Sequence, residues 1–118
     1  MLRKYVIERN IEGIGAQPME AMCGVALQSN RVLDELGTGI QWLHSYVTAN
    51  KTYCIYLARD EALIREHAKR SGFPADAIVE VKSVLDPTMA PAWAVATRNT
   101  GVTNERCNCP YNPPAMER

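Results

Sequence analysis

The sequence has little with which to meet a polyanion: thirteen basic residues are balanced by thirteen acidic ones over 118 positions, leaving no net charge. Without a basic excess there is no electrostatic footprint for a phosphate backbone or an anionic membrane, and nucleic-acid binding is disfavoured. No apolar run approaches the ~20 residues that span a bilayer. Met1-Leu2-Arg3-Lys4 leads directly into a strand-like segment rather than a signal sequence, so a cytoplasmic protein without a membrane partner is expected. Cysteine is sparse too. Cys23, Cys54, Cys107 and Cys109 are spread over a helix, a strand and a tail, too thinly for a disulfide framework, and reduced thiols are expected. A glycine-rich phosphate loop, a nucleophile elbow and an HExxH helix are all missing, which removes support for nucleotide hydrolysis, α/β-hydrolase chemistry and zincin proteolysis.

What is present is enough for one core, since a chain of this length buries roughly two-thirds of its unfolded surface on folding. Arg3 to Arg9 alternates, with Tyr5, Ile7 and Arg9 in one phase and Lys4, Val6 and Glu8 in the other, and reads as a strand. Gly13 and Gly15 break it. Pro18 suits the start of a helix in which Met22, Val25, Ala26, Ser29, Val32, Leu33 and Leu36 fall within an arc of about 120°, closed by Gly37 and Gly39. Gln41 to Val47 and Thr52 to Leu57 alternate on either side of the polar turn Thr48-Ala49-Asn50-Lys51, a β-hairpin. Asp60 is placed to cap a second helix that runs to Ser71 and stops at Gly72-Phe73-Pro74. A fourth strand is expected over Ile78 to Leu85. Strand, helix, strand, strand, helix, strand is the ferredoxin-like α+β arrangement, an antiparallel sheet with both helices on one face. The other face is left for a ligand, a tail or a second subunit, as in a dimeric α+β barrel.

The ferredoxin-like domain is assigned to residues 1–88 and a Pro-rich tail to residues 89–118, because five of the seven prolines lie from Pro87 onward. An exposed Trp93 in this tail suits a dimer-clasping arm.

With Val47 opposite Thr52, Trp42, His44 and Tyr46 fall on the same face as Tyr53, and Trp42, His44, Tyr46 and Tyr53 form a candidate pocket on the open side of the sheet. A packed aromatic cluster or a dimer contact explains the same pattern. If the protein is an enzyme, His44 and Tyr46 are the expected acid–base pair, in an isomerase- or oxygenase-like dimeric barrel. His67 lies within the apolar arc of its helix and reads as a core histidine bonded to a carbonyl or carboxylate, while Glu66 is expected to pair with Arg70. Glu8, a carboxylate in a central strand, needs a partner or a metal, and Arg9 is the competing partner. Glu8 with His44 or His67 would suit a divalent transition metal. Cys107 and Cys109 are two thiolates within reach of one soft ion, yet two ligands do not make a site. Cys23 and Cys54 read as small buried residues.

The blocks YVIER at residues 5 to 9, IQWLHSYVTANKTYCIYLA at 40 to 58, REHAKRSGFPADAIVEV at 65 to 81 and LDPT at 85 to 88 are similar to a family of small bacterial ferredoxin-like proteins named for a nickel-binding member. The resemblance covers about residues 3–88 and all six expected elements. It implies a ferredoxin-like fold, a homodimer formed through the sheets and, for at least one member, Ni2+ bound near the dimer surface in a sequestration role. WLHSYV and REHA match the family pattern at Trp42, His44, Tyr46 and His67, whereas the tail with its CNCP segment departs from it.

Overall fold

The computed structural model describes residues 1–91. Six elements make up the first unit, Met1–Lys82: β1 (Arg3–Asn10), α1 (Met19–Leu36), β2 (Ile40–Val47), β3 (Lys51–Ala58), α2 (Glu61–Ser71) and β4 (Ala77–Glu80). The sheet order is β2-β3-β1-β4 and every neighbouring pair is antiparallel. This is the ferredoxin-like order that the strand and helix pattern predicts. No described helix is long and apolar enough to cross a membrane. Beyond Ser83, where the second unit begins, residues 83–91 contain one short helical turn, Pro87–Met89, capped by the Asp86 side chain accepting from the Thr88 amide at 2.8 Å. Of the tail expected over residues 89–118, the part from residue 92 onward, with Trp93, Cys107 and Cys109, lies outside the described residues.

Local chemistry sets the element ends. The Asp60 side chain accepts from the Leu63 amide at 3.0 Å, satisfying a donor that the first turn of α2 would otherwise strand. Gly72 takes the left-handed conformation (φ 81°, ψ 4°) and its amide bonds the Ala68 carbonyl, so α2 stops where the sequence predicts. β4 is shorter than expected, ending at Glu80 rather than Leu85. Among the described residues it pairs with β1 alone: the last paired residues are Tyr5 and Glu80, and the Val81 amide bonding the Lys4 carbonyl is the last rung, while β1 itself runs on to Arg3 beside β3.

The core lies between the sheet and the two helices. Tyr5 and Ile7 of β1, Cys54, Tyr56 and Ala58 of β3, Ile40 of β2 and Ile64 of α2 form one buried cluster. Burying a side chain of the size of Ile7 or Ile64 contributes about 1.5–3 kcal/mol. Cys54 is buried as expected, but Cys23 is exposed, because it falls outside the arc of α1 that meets the sheet.

The connection between β1 and α1 is tied to the β2–β3 turn. The Ile11 amide bonds the Asn50 carbonyl, the Gly13 amide bonds Asn50 Oδ1, and the Gly15 amide bonds the Ala49 carbonyl at 3.0 Å. Only glycine fits at position 15, since a Cβ there would stand 2.5 Å from the Thr48 carbonyl oxygen.

Candidate functional site

The register defines two faces with different chemistry. On the face that no described helix covers, one row runs Tyr46, Tyr53, Glu8 and Ala77 and the next runs His44, Ile55, Val6 and Val79. His44 and Tyr46 meet edge to face, their ring centroids 5.0 Å apart. Both are exposed, Tyr46 at 60 %, and so is Val79 in the row of His44, at 59 %. Glu8 is held by Lys51, Nζ to Oε2 2.9 Å, and that bond raises the Lys51 pKa. The competitor for Glu8 is therefore Lys51 and not Arg9, which points to the other side of the strand.

Trp42 does not join this face. Between Trp42 and His44 the register slips, so that Trp42 stands opposite Tyr56 and His44 opposite the adjacent Ile55. Two residues of β2 thus advance against one of β3, a β-bulge at Leu43 that turns Trp42 toward the helices. There its ring stacks on Tyr56 at 6.5 Å and its Nε1 donates to Ser45 Oγ at 2.9 Å. The expected four-residue pocket is reduced on the open face to His44, Tyr46 and Tyr53.

A second site, not foreseen from the sequence, lies on the helix side. A cavity of about 510 Å³ opens beneath α1, its walls including Ile14, Met22, Val25, Trp42, Phe73 and Arg9. His44, Tyr46 and Tyr53 take no part in it. Arg9 is 3 % exposed and its guanidinium lies between two rings, Cζ standing 6.0 Å from the Tyr56 centroid and 5.9 Å from that of Phe73. Nη1 donates to the Pro74 carbonyl at 2.6 Å, whereas Nη2 has no partner among the described residues. No described carboxylate pairs with this arginine. An uncompensated buried ion costs several kcal/mol, and the two ring faces offset part of that. The signal was available in the sequence: Arg9 falls in phase with Tyr5 and Ile7, a charge on the apolar side of a central strand.

His67 closes the polar core behind the cavity wall. It is fully buried, its Nε2 is 3.1 Å from Ser29 Oγ, and Ser29 Oγ is 3.4 Å from the Tyr56 hydroxyl. Its partner is thus a hydroxyl, not the carbonyl or carboxylate expected. Nδ1 has no partner among the described residues, which favours the proton on Nε2, because a stranded acceptor costs less than a stranded N–H. Burial, reinforced by the nearby Arg9 charge and opposed by the Ser29 backbone, lowers its pKa to about 4, so the ring is neutral at pH 7. Burial likewise pushes the Tyr56 phenol above its ordinary value. Glu66 pairs with Arg70 at 2.7 Å on the solvent side of α2, as the helix spacing predicts.

Residues 5–81 match the sequence model of a family described as nickel responsive protein SCO4226-like. The chain belongs to this family. The crystal structure of SCO4226 from Streptomyces coelicolor A3(2) shares the fold of this family member, with a TM-score of 0.60 and 14 % identity over 70 % of this chain and 99 % of that one. No functionally curated protein matches the chain.

The family name raises the question of whether these residues fit a nickel ion. His44 and Glu8 share the open face, but His67 lies on the helix side of the sheet and cannot join them. Among the described residues no three His, Cys, Asp or Glu side chains are grouped to hold a metal. One chain, as described, therefore lacks a complete coordination sphere.

Proposed function

We propose that this member of the nickel responsive family is a cytoplasmic homodimer that takes up a divalent transition metal, nickel by family likeness, in a sequestration role at a site shared between chains. The observation that carries the reading is the position of His44: exposed, on the sheet face that no described helix covers, beside Tyr46 and directly after the bulge at Leu43. Around it Val6, Ile55 and Val79 present an apolar surface of the kind that a second sheet covers. Pairing two such faces would bring two copies of His44 and Glu8 to one interface and supply donors that the described residues of one chain lack. Imidazole suits nickel, zinc and copper alike, so the metal is set by availability as much as by this donor set. An acid–base role for His44 and Tyr46 needs a pocket on the same face, which a second chain would have to wall.

Nickel titration of tag-free protein by calorimetry, with mass measured by light scattering, tests the reading. Saturable binding by a dimer, lost in His44→Ala while the dimer persists, is the expected result. A monomer, or a His44→Ala variant that binds as the parent does, overturns it.

A further inference from the structure

We propose that the cavity beneath α1 is a binding site for a monocarboxylate with an apolar body, whose head group pairs with the Arg9 guanidinium. The site lies across the sheet from His44 and is independent of the metal reading. Arg9 lines the cavity, is 3 % exposed, and keeps Nη2 without a partner among the described residues. What surrounds it is neutral: the Pro74 carbonyl and the faces of Tyr56 and Phe73. A buried cation with dipoles and rings but no counter-ion is incomplete in charge, and an anion from outside completes it. The planar fork of a guanidinium matches a carboxylate in shape, which a point charge such as lysine does not.

The rest of the cavity describes the body of the ligand. Ile14, Met22, Val25 and Phe73 are apolar walls, and Met22 is pliable enough to follow a range of shapes. The hydroxyls of this wall, those of Ser29, Ser45, Thr52 and Tyr56, are neutral, so one negative charge is matched and two are not. A volume of about 510 Å³ falls within the range of small-molecule sites.

Calorimetry on the full-length protein with decanoate and 2-naphthoate, each beside its neutral counterpart, decan-1-ol and 2-naphthamide, tests the proposal. At least one carboxylate is expected to bind roughly tenfold or more tighter than its neutral counterpart, the worth of a charge-assisted bond. Arg9→Met should erase that preference while leaving nickel titration as in the parent protein. Ala26→Trp, which fills the cavity from α1, should block the carboxylate. If neither carboxylate exceeds its neutral counterpart, or if Arg9→Met keeps the preference, the proposal is overturned. Should Arg9→Met fail to fold, carboxylate binding that survives in Ala26→Trp overturns it instead.

Discussion

On the helix side of the sheet, Tyr5, Ile7, Cys54 and Tyr56 are sealed beneath α1 and α2, and the charged groups among them are strongly constrained. On the other side, Val6, His44, Tyr46 and Val79 come from the same strands or their neighbours and stand half-buried or exposed. The difference teaches where each kind of chemistry is possible. His67 is held neutral and out of reach of solvent, so it serves the core; His44 is accessible and can meet a metal or a second chain. Likewise Arg9, without a counter-ion among the described residues, lines a cavity, while Glu8 is paired with Lys51 on the open face.

The largest contrast is expected from truncating one residue on each face. Ile64→Ala, at 1 % exposure, should lose about 2–5 kcal/mol of stability in urea unfolding, the usual cost of a cavity in a packed core. Val79→Ala on the open face should lose well under half of that in a monomer. If Val79→Ala proves as damaging, with a midpoint that rises with protein concentration, a partner covers the open face, as the proposed dimer requires.

Acidification sharpens the contrast between the histidines. The folded protein keeps His67 neutral down to about pH 4 while the unfolded chain titrates near 6.5, so between these values the unfolded state binds more protons. Stability is full above about pH 6.5 and falls by roughly 3 kcal/mol as pH drops through about 4. Urea midpoints at neutral and acid pH should converge in His67→Phe, compared with the parent; parallel losses in the two proteins would assign the acid sensitivity elsewhere.

Gly15→Ala tests the tie between the hairpin turn and the β1–α1 connection, whose Ile11 and Ile14 help wall the cavity. With a Cβ 2.5 Å from a backbone oxygen, the backbone must shift, and about 1–3 kcal/mol should be lost along with carboxylate binding. Unchanged melting would mean that the two loops part easily. The smallest effect is expected at the surface pair: Glu8→Gln should move Tm by no more than a few degrees, and less in high salt. A large loss would show that Glu8 is covered in the assembled protein.

Much of this contrast was legible in the residues. The alternation of β1, the hairpin around Thr48 to Lys51, the Asp60 cap and the Gly72 stop all fell within a residue or two of their places, because each depends on chemistry within one turn or one strand. Trp42 was misplaced because alternation assumes an uninterrupted pleat, and nothing near Leu43 in the sequence announces an extra residue. β4 was drawn too long because its alternation runs on past Glu80, where its pairing with β1 stops. Arg9 was in the correct phase, but its significance rested on what failed to come near it.

The sequence by itself determined the six elements, their order and, through strand periodicity, which side chains can share a face. Tertiary structure decided which face each stretch of β2 presents, which ions find partners, and where space is left open. The reason is range: periodicity and capping act between neighbours, whereas the Arg9 bond to Pro74 spans 65 residues and the Ser29 bond to His67 spans 38, pairings that exist only once the helices have settled on the sheet.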